Sequence, residues 1–352
     1  MSGDPIIRAI ERTTQAIRER ADAHWILAFS GGKDSTAALK IFLAAHKRAD
    51  ISVSKVTIAY CDTGVENPIL DTYVRGLLAD VACELSTLGS EFSTIFLKAP
   101  VQDRFFVRII GRGYPPPTNS FRWCTTGLRI KPVSTFIARQ DPDNTVVVLG
   151  LRRSESQQRD RSLALSDDLY WQKQREGKGD YDLFLPIVEL DVPTVWDSIF
   201  WLDRPKALNP VVLEELYRGA SGECPIIKSP QAPPCASGRF GCWTCTVVRK
   251  DKSARELIRA GYLQLQPFLE FRDWLAEFRN DPAKRWKARR NGAAGLGPFT
   301  VAARKEILKK VDELEDRTAT TIIDAEERGT IVALWAMDHF PRLAFRGVQQ
   351  QP

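Results

Sequence analysis

Trp25-Ile-Leu-Ala-Phe-Ser-Gly-Gly-Lys-Asp-Ser-Thr-Ala-Ala-Leu-Lys40 is the stretch on which the reading of this chain turns. Its apolar run, Ile26 to Phe29, predicts a buried parallel strand, and the run breaks at Ser30-Gly31-Gly32. Two glycines let the backbone turn sharply and come close to a ligand, because no Cβ stands in the way. Asp34, Ser35 and Thr36 then fall in the first turn of a helix that continues to about His46. A strand, a glycine turn and a helix N-terminus aim N–H groups and a positive dipole end at one point. Such a point holds phosphate. The bland alternative is a glycine-rich turn that binds nothing.

The rest of the chain repeats the theme. At 352 residues there is material for about two domains, and 43% hydrophobic with 27% charged residues is ordinarily globular. A net charge of +6 is mildly basic and compatible with a nucleotide or nucleic-acid partner. Residues 1–23 form a polar, charged helix pattern without a signal-peptide core, and no long apolar run follows, so a cytoplasmic protein without a membrane partner is expected. Strands are expected over Ser52–Tyr60, Phe92–Lys98, Val146–Leu149 and Leu183–Ile187, with helices over Leu70–Ala82 and from Trp196 to about Leu202. Across residues 24–205 this alternation predicts an α/β fold, an open and mostly parallel sheet with helices on both faces.

Ligands of such sheets bind outside the carboxyl ends of the strands, so the exits matter. The exit Cys61-Asp-Thr-Gly-Val-Glu-Asn-Pro68 offers Asp62 and Glu66, which can hold a magnesium ion (Mg2+) or orient a substrate; alternatively both cap the helix beginning at Asn67-Pro68. The exit Gly150-Leu-Arg-Arg-Ser-Glu-Ser-Gln-Gln-Arg159 offers Gly150 for close approach of a phosphate. Arg152, Arg153 and Arg159 can neutralise charge as it develops on a leaving group, unless they form a structural ion-pair cluster. Between them lies Gly111 to Pro132, whose Pro115-Pro116-Pro117 forbids helix and central strand and predicts a semi-rigid loop. It carries Arg112, Arg122, Arg129 and Lys131 interleaved with Tyr114, Phe121 and Trp123. Cations beside aromatics suit a substrate made of phosphate and base; a solvated basic loop is the alternative.

Of the cysteines, Cys224, Cys235, Cys242 and Cys245 cluster within residues 206–250, with prolines and glycines around them. Four thiolates suit either zinc (Zn2+) or a four-iron, four-sulfur (4Fe-4S) cluster, and spacing alone does not separate the two. Cys124 stands in the basic loop close to Arg122, where a cation favours a thiolate able to accept a persulfide; a buried structural cysteine is the competing reading. Three histidines, none inside a chemical motif, move histidine general-base chemistry down the list. Residues 251–352 read as mainly helical, with a basic segment at 284–290 that fits either a phosphate-backbone contact or a solvated helix end.

Ser30 to Thr36 lacks the spacing of the ordinary P-loop and instead resembles the pyrophosphate loop (PP-loop) of the ATP pyrophosphatases. Together with Asp62–Pro68, Gly111–Thr125 and Gly150–Arg159, it is similar to the sulfonucleotide-reductase (PAPS reductase-like) branch of that superfamily, and within it to the DndC-type DNA phosphorothioation sulfurtransferases of the Dnd and Ssp systems. The resemblance implies that Ser30, Gly31, Gly32, Asp34, Ser35 and Thr36 cradle the pyrophosphate of ATP, with Lys33 adding charge. It implies that Asp62, Gly150 and Arg159 complete the nucleotide site, and that the four clustered cysteines hold a 4Fe-4S cluster rather than zinc. The implied reaction adenylates a DNA backbone phosphate, after which sulfur replaces a non-bridging oxygen. Lys33, Asp34, Asp62, Cys124, Arg152 and Arg153 would act in it, Arg112, Arg122, Trp123, Arg129 and Lys131 would bind the substrate, and partners would be DNA, a cysteine desulfurase as sulfur donor and other subunits of the modification system. A tRNA thiolation enzyme and a nucleotide-dependent DNA-binding subunit without catalysis are alternatives. A phosphoadenylyl or adenylyl sulfate reductase is a further one; its departing loop and its Glu-Cys-Gly nucleophile near the C-terminus find no match here, where no cysteine follows Cys245.

Overall fold

A computed structural model describes residues 4–51, 53–88, 92–153, 169–176, 179–221 and 240–338. The chain divides into two compact units that interleave in sequence: one comprises residues 1–61, 68–97 and 132–240, the other 62–67, 98–131 and 241–352.

The first unit is built on a six-stranded sheet of β1 (His24–Phe29), β2 (Lys55–Asp62), β3 (Phe92–Lys98), β4 (Thr145–Val148), β5 (Trp171–Glu176) and β6 (Gly179–Phe184), in the order β3-β2-β1-β4-β6-β5. β1 is parallel to β2 and to β4, with Phe29 opposite Tyr60 and Leu27 opposite Val148; β6 is parallel to β4, and β5 antiparallel to β6. Strand alternation buries both faces. Trp25, Leu27 and Phe29 join one core with Phe42, Val148 and Trp196, while Ile26 joins a second with Ala59, Val147 and Leu183. A sheet covered on both sides reads as an unbroken apolar run, which is what Ile26–Phe29 shows. Helices α1 (Pro5–Glu19), α2 (Lys33–Ala49) and α3 (Pro68–Leu85) feed the first core, α4 (Lys131–Ile137) the second, and α5 (Val192–Trp201) and α6 (Pro210–Ser221) the first again.

The sheet is therefore the expected α/β sheet, with two departures. The expected strand Leu183–Ile187 lies at Gly179–Phe184, and the chain then turns with the Val188 N–H on the Leu185 carbonyl (3.3 Å). Leu185, Ile187 and Val188 are apolar because the turn itself is buried. β5 was not foreseen, because Trp171-Gln-Lys-Gln-Arg-Glu176 is the polar composition of an edge strand and carries little hydrophobic signal.

The strand order reverses between β1 and β4: the chain leaves β1 toward β2 on one side and β4 toward β6 on the other. A crevice outside the carboxyl ends of two such strands is where open α/β sheets bind ligands.

The second unit is helical, with α7 (Lys252–Arg259), α8 (Gln266–Phe278), α9 (Val301–Thr318) and α10 (Ala325–Ala336). A capping box between Asp324 and Glu327 starts α10. Phe106, Trp243, Phe271, Phe278 and Phe299 dominate its core. Two arginines are fully buried there: Arg304 donates to the Gly111 carbonyl (2.7 Å) and pairs with Asp338, while Arg272 donates to the carbonyls of Cys245 (2.9 Å), Val248 and Arg249 (3.2 Å). The loop expected over Gly111–Pro132 is irregular only in its first part. Thr125–Ile130 is a π-helix running into α4, and a second π-helix, Val107–Gly111, precedes the prolines. The prolines confine the disruption to their own neighbourhood. Among the described residues no helix is long and apolar enough to cross a membrane.

Candidate functional site

In the first unit the β1 exit makes the expected glycine turn. Gly31 has φ +73°, and a Cβ there would lie 2.1 Å from Val74 Cγ2 of α3, so only glycine fits. Gly32 is the N-cap of α2 and supplies no side chain to cap it. Hydroxyls organise the turn instead. Ser30 N–H donates to Ser35 Oγ (3.2 Å), and Ser35 Oγ donates to the Gly32 carbonyl (3.0 Å). Thr36 Oγ1 is enclosed and has no hydrogen-bond partner among the described residues. A buried hydroxyl without a partner beside a helix N-terminus fits a missing anionic acceptor, and the phosphates of ATP would supply one.

The β4 exit closes on this turn. Arg152, buried, donates through Nε to Asp34 Oδ1 at 2.5 Å, and Lys33 Nζ donates to Asp34 Oδ2 at 2.6 Å. One carboxylate thus holds two cations at the mouth of the loop. Asp191, which caps α5 through the Thr194 N–H (2.9 Å), has its carboxyl held below the usual range by the Thr194 hydroxyl first, then by that N–H and nearby Arg152. At Gly150 a Cβ would lie 2.6 Å from the Asp34 carbonyl oxygen and 2.8 Å from the Ser35 nitrogen. The space is taken by the first turn of α2, so Gly150 is required for packing of the exit against the loop. Arg153 is exposed and is held by its backbone, N–H to the Val188 carbonyl (3.0 Å). Arg159 lies outside the described residues.

Tyr217, on α6, accepts the Lys33 N–H at 3.0 Å, and the Lys33 ammonium sits 5.8 Å from its ring centroid. The 184 residues between the partners leave no local signal of this contact.

The second unit gathers Asp62, Glu66, Arg129, Cys124, Cys242 and Cys245. Asp62 is buried, accepts the Gly64 N–H (2.8 Å) and pairs with Lys98 (3.2 Å), so its carboxylate stabilises the turn. Glu66 accepts from Thr63 Oγ1 (2.8 Å) and Arg129 (3.4 Å), and forms a β-bridge with Cys242. Cys242 Sγ lies 3.6 Å from Arg129 Nη2, and the Cys245 N–H bonds to the Cys242 carbonyl (3.0 Å), a tight turn that presents both residues from one loop. Burial, then the Glu66 carboxylate, pushes the Cys242 thiol up to about 12. A thiolate there calls for a bound cation, which fits a metal ligand. Cys224 and Cys235 lie outside the described residues, and among the described residues no group of three or more metal-ligating side chains is assembled.

Cys124 is half-buried, nearer the competing structural reading than the persulfide one. Burial pushes its thiol up, and Arg122, whose cation was to lower it, is turned to Asn119 Oδ1 (3.1 Å) instead. Trp123 is buried, stacked on Phe105 and donating to the Pro115 carbonyl (3.0 Å), which places it in the core rather than at a surface for bases. Arg112 gives its carbonyl to Arg290, and Lys131 is exposed at the start of α4. The basic segment 284–290 is no helix end: it pairs back on itself through bridges Arg285–Phe299 and Ala288–Ala294, and Lys284 is tied to Glu306 (2.5 Å).

A sequence profile of the phosphoadenosine phosphosulfate reductase domain matches residues 24–248. An uncharacterized protein of Methanocaldococcus jannaschii is 24% identical over 203 residues, which are 58% of this chain and 36% of that protein, so the chain spans about a third of this relative's length. Among solved structures, Candida glabrata FMN adenylyltransferase in complex with FMN and an ATP analogue is 14% identical, covers 64% of each chain and has a TM-score of 0.37. NAD+ synthetase from Burkholderia pseudomallei is 16% identical over 90% of each chain, with a TM-score of 0.34.

Proposed function

This chain belongs to the phosphoadenosine phosphosulfate reductase domain family, of the PP-loop ATP pyrophosphatase superfamily, and we propose that within it the chain cleaves ATP between its α- and β-phosphates to activate a DNA backbone phosphate for sulfur transfer. The observation that carries the reading is the closed loop of the first unit, where Lys33, Asp34 and Arg152 meet above a glycine turn rich in hydroxyls. A phosphate oxygen is a very poor leaving group. Attack of that oxygen on the α-phosphorus forms an O–P bond and breaks the bond to the β-phosphate, whose oxygen departs with the electron pair. Lys33 and Arg152 stabilise the charge that collects on pyrophosphate, which is where fixed cations act most. The outer sulfur of a persulfide supplied by a cysteine desulfurase then attacks the backbone phosphorus, AMP leaves with the displaced oxygen, and a thiol reductant cleaves the S–S bond to release the phosphorothioate and a disulfide.

Mg2+ would neutralise phosphate charge when bound; Asp62, paired with Lys98, and Glu66, bonded to Thr63 and Arg129, are engaged within the second unit and do not fit it. Cys224, Cys235, Cys242 and Cys245 would hold the 4Fe-4S cluster, with zinc as the other occupant that their chemistry allows; either would be bound by thiolates. Cys124, half-buried with its thiol pushed up by burial, would be the sulfur carrier.

The test is mass spectrometry of nuclease-digested DNA from the native host, wild type against Asp34→Ala, with AMP and pyrophosphate formation from ATP measured on the same proteins. Phosphorothioate dinucleotides that vanish in the variant support the reading, and their persistence sinks it. A second reading, a sulfonucleotide reductase, is favoured by the matched domain itself. It requires sulfite release from phosphoadenylyl sulfate with a thiol reductant and no ATP.

A further inference from the structure

The second unit contains a cleft of about 690 Å3 that the reading above does not use. One wall is aromatic. Tyr114 and Phe121 lie nearly parallel, 13° apart with centroids at 6.3 Å, and Thr118 and Phe121 exchange two backbone hydrogen bonds of 3.2 Å that fix the turn between them. Phe121 remains 43% exposed, although Trp123, two residues on, is buried. The other wall is cationic, with Arg279, Arg285, Arg289 and Arg290, and among the described residues no carboxylate lines the cleft.

The two inner arginines are built in. Arg279 donates to the carbonyls of Pro117 (2.7 Å) and Thr246 (3.2 Å), and Arg285 to those of Gly297 and Arg279 (2.9 Å). Burial and each other's company push Arg285 down to about 10, still charged at neutral pH. The outer two are presented by a tight hairpin, closed by the Arg289 N–H on the Ala293 carbonyl (2.8 Å), and the Arg290 guanidinium lies 5.9 Å from the Tyr114 ring centroid. Crowded cations call for anions, and a fixed exposed ring calls for a flat one. Bases in a duplex have no free faces; those of a single strand do. Four guanidiniums exceed what one phosphate can use.

We propose that this cleft binds an unpaired nucleotide of a polynucleotide strand, its base on Phe121 and the neighbouring phosphates on Arg289 and Arg290. The site shares with the proposed function only the choice of a polynucleotide, and it needs no step at the ATP loop.

Fluorescence anisotropy of the full chain decides it, with a short labelled single-stranded DNA, RNA of the same sequence and the matching duplex. Single strands should bind more tightly than duplex. Phe121→Ala should weaken strand binding roughly tenfold, with Phe121→Trp restoring it. Arg289→Ala and Arg290→Ala should each lower the slope of log affinity against log salt by about 0.7. Phe121 is exposed, so its loss should leave thermal melting unchanged. RNA bound as well as or better than DNA supports the cleft and moves its natural strand to RNA. Equal binding of duplex, displacement by AMP at the concentration at which a strand displaces, or undiminished affinity of Phe121→Ala overturns the proposal. Phosphorothioate that still depends on Asp34 alongside such a failure leaves the ATP reading standing. Strand binding by a chain that makes no AMP would count against that reading alone.

Discussion

Gly150→Ala is a one-carbon test of how the β4 exit and the loop depend on each other. The added Cβ would start 2.6 Å from the Asp34 carbonyl oxygen, 2.7 Å from its carbon and 2.8 Å from the Ser35 nitrogen. All three are backbone atoms of α2's first turn, so no side chain can swing aside. Ordinary contact begins near 3.4 Å, and the turn must therefore retreat by about 0.8 Å. Overpacking of this kind costs about 1–3 kcal/mol, which lowers the melting temperature by a few degrees. The larger effect should be on the loop. Asp34 is the residue that holds Lys33 and Arg152, at 2.6 and 2.5 Å, and its displacement moves both cations from the place where phosphate is proposed to sit. Misplacement by about 1 Å costs on the order of a hundredfold in rate. The assay is ATP affinity by calorimetry together with pyrophosphate release, each against wild type, and melting of the free protein. A variant that melts slightly lower and loses most of its turnover fits the argument. Unchanged melting and unchanged ATP handling would refute it, because the turn would then have room that the geometry denies.

Other expectations follow from the charges. Arg152→Met should destabilise the protein by about 1.5–3 kcal/mol in urea unfolding, since it removes a charge-assisted hydrogen bond from Asp34 while Lys33 stays paired to it, and combining it with Asp34→Asn should cost less than the sum of the two single changes; simple additivity would show that the pair is not coupled. Lys40 is buried on α2, donates to the Leu202 carbonyl (2.5 Å), and has its pKa pushed down to about 8 from 10.5, chiefly by burial. Between those two values the unfolded chain binds the extra proton, so Lys40's contribution must rise with pH from about 8 to 10.5. The stability difference between wild type and Lys40→Met should therefore grow in wild type's favour across that window, and a flat difference would contradict the burial. Arg272→Met leaves the carbonyls of Cys245, Val248 and Arg249 without their shared donor, and should cost about 3 kcal/mol or more in denaturant unfolding; a loss under 1 kcal/mol would mean that water replaces the guanidinium.

Composition and spacing alone carried the reading a long way wherever the physics is local. An apolar run ended by Ser30-Gly31-Gly32 has one economical outcome, a strand turning into a helix, because glycine adopts the φ of +73° at position 31 without strain. The open α/β sheet follows from repetition of that unit, and the loop from Ser30 to Thr36 was legible for the same reason. Signals of burial were less specific: Leu183 to Val188 announced a buried segment without saying that half of it is a turn, and β5 was silent because an edge strand need not be apolar.

Only the tertiary structure decided which distant groups meet. Arg152 reaches Asp34 across 118 residues, Tyr217 reaches Lys33 across 184, and Arg279 reaches Pro117 across 162. It likewise sorted one aromatic segment into a buried Trp123 and an exposed Phe121, and turned basic residues that look solvated, Arg272 and Arg304 among them, into buried donors. A side chain's type limits what it can bond to, but its partner and its burial are properties of surfaces brought together by the whole chain. Local sequence fixes backbone geometry through steric limits a few residues wide, whereas charge, pKa and access are set by neighbours that only packing supplies.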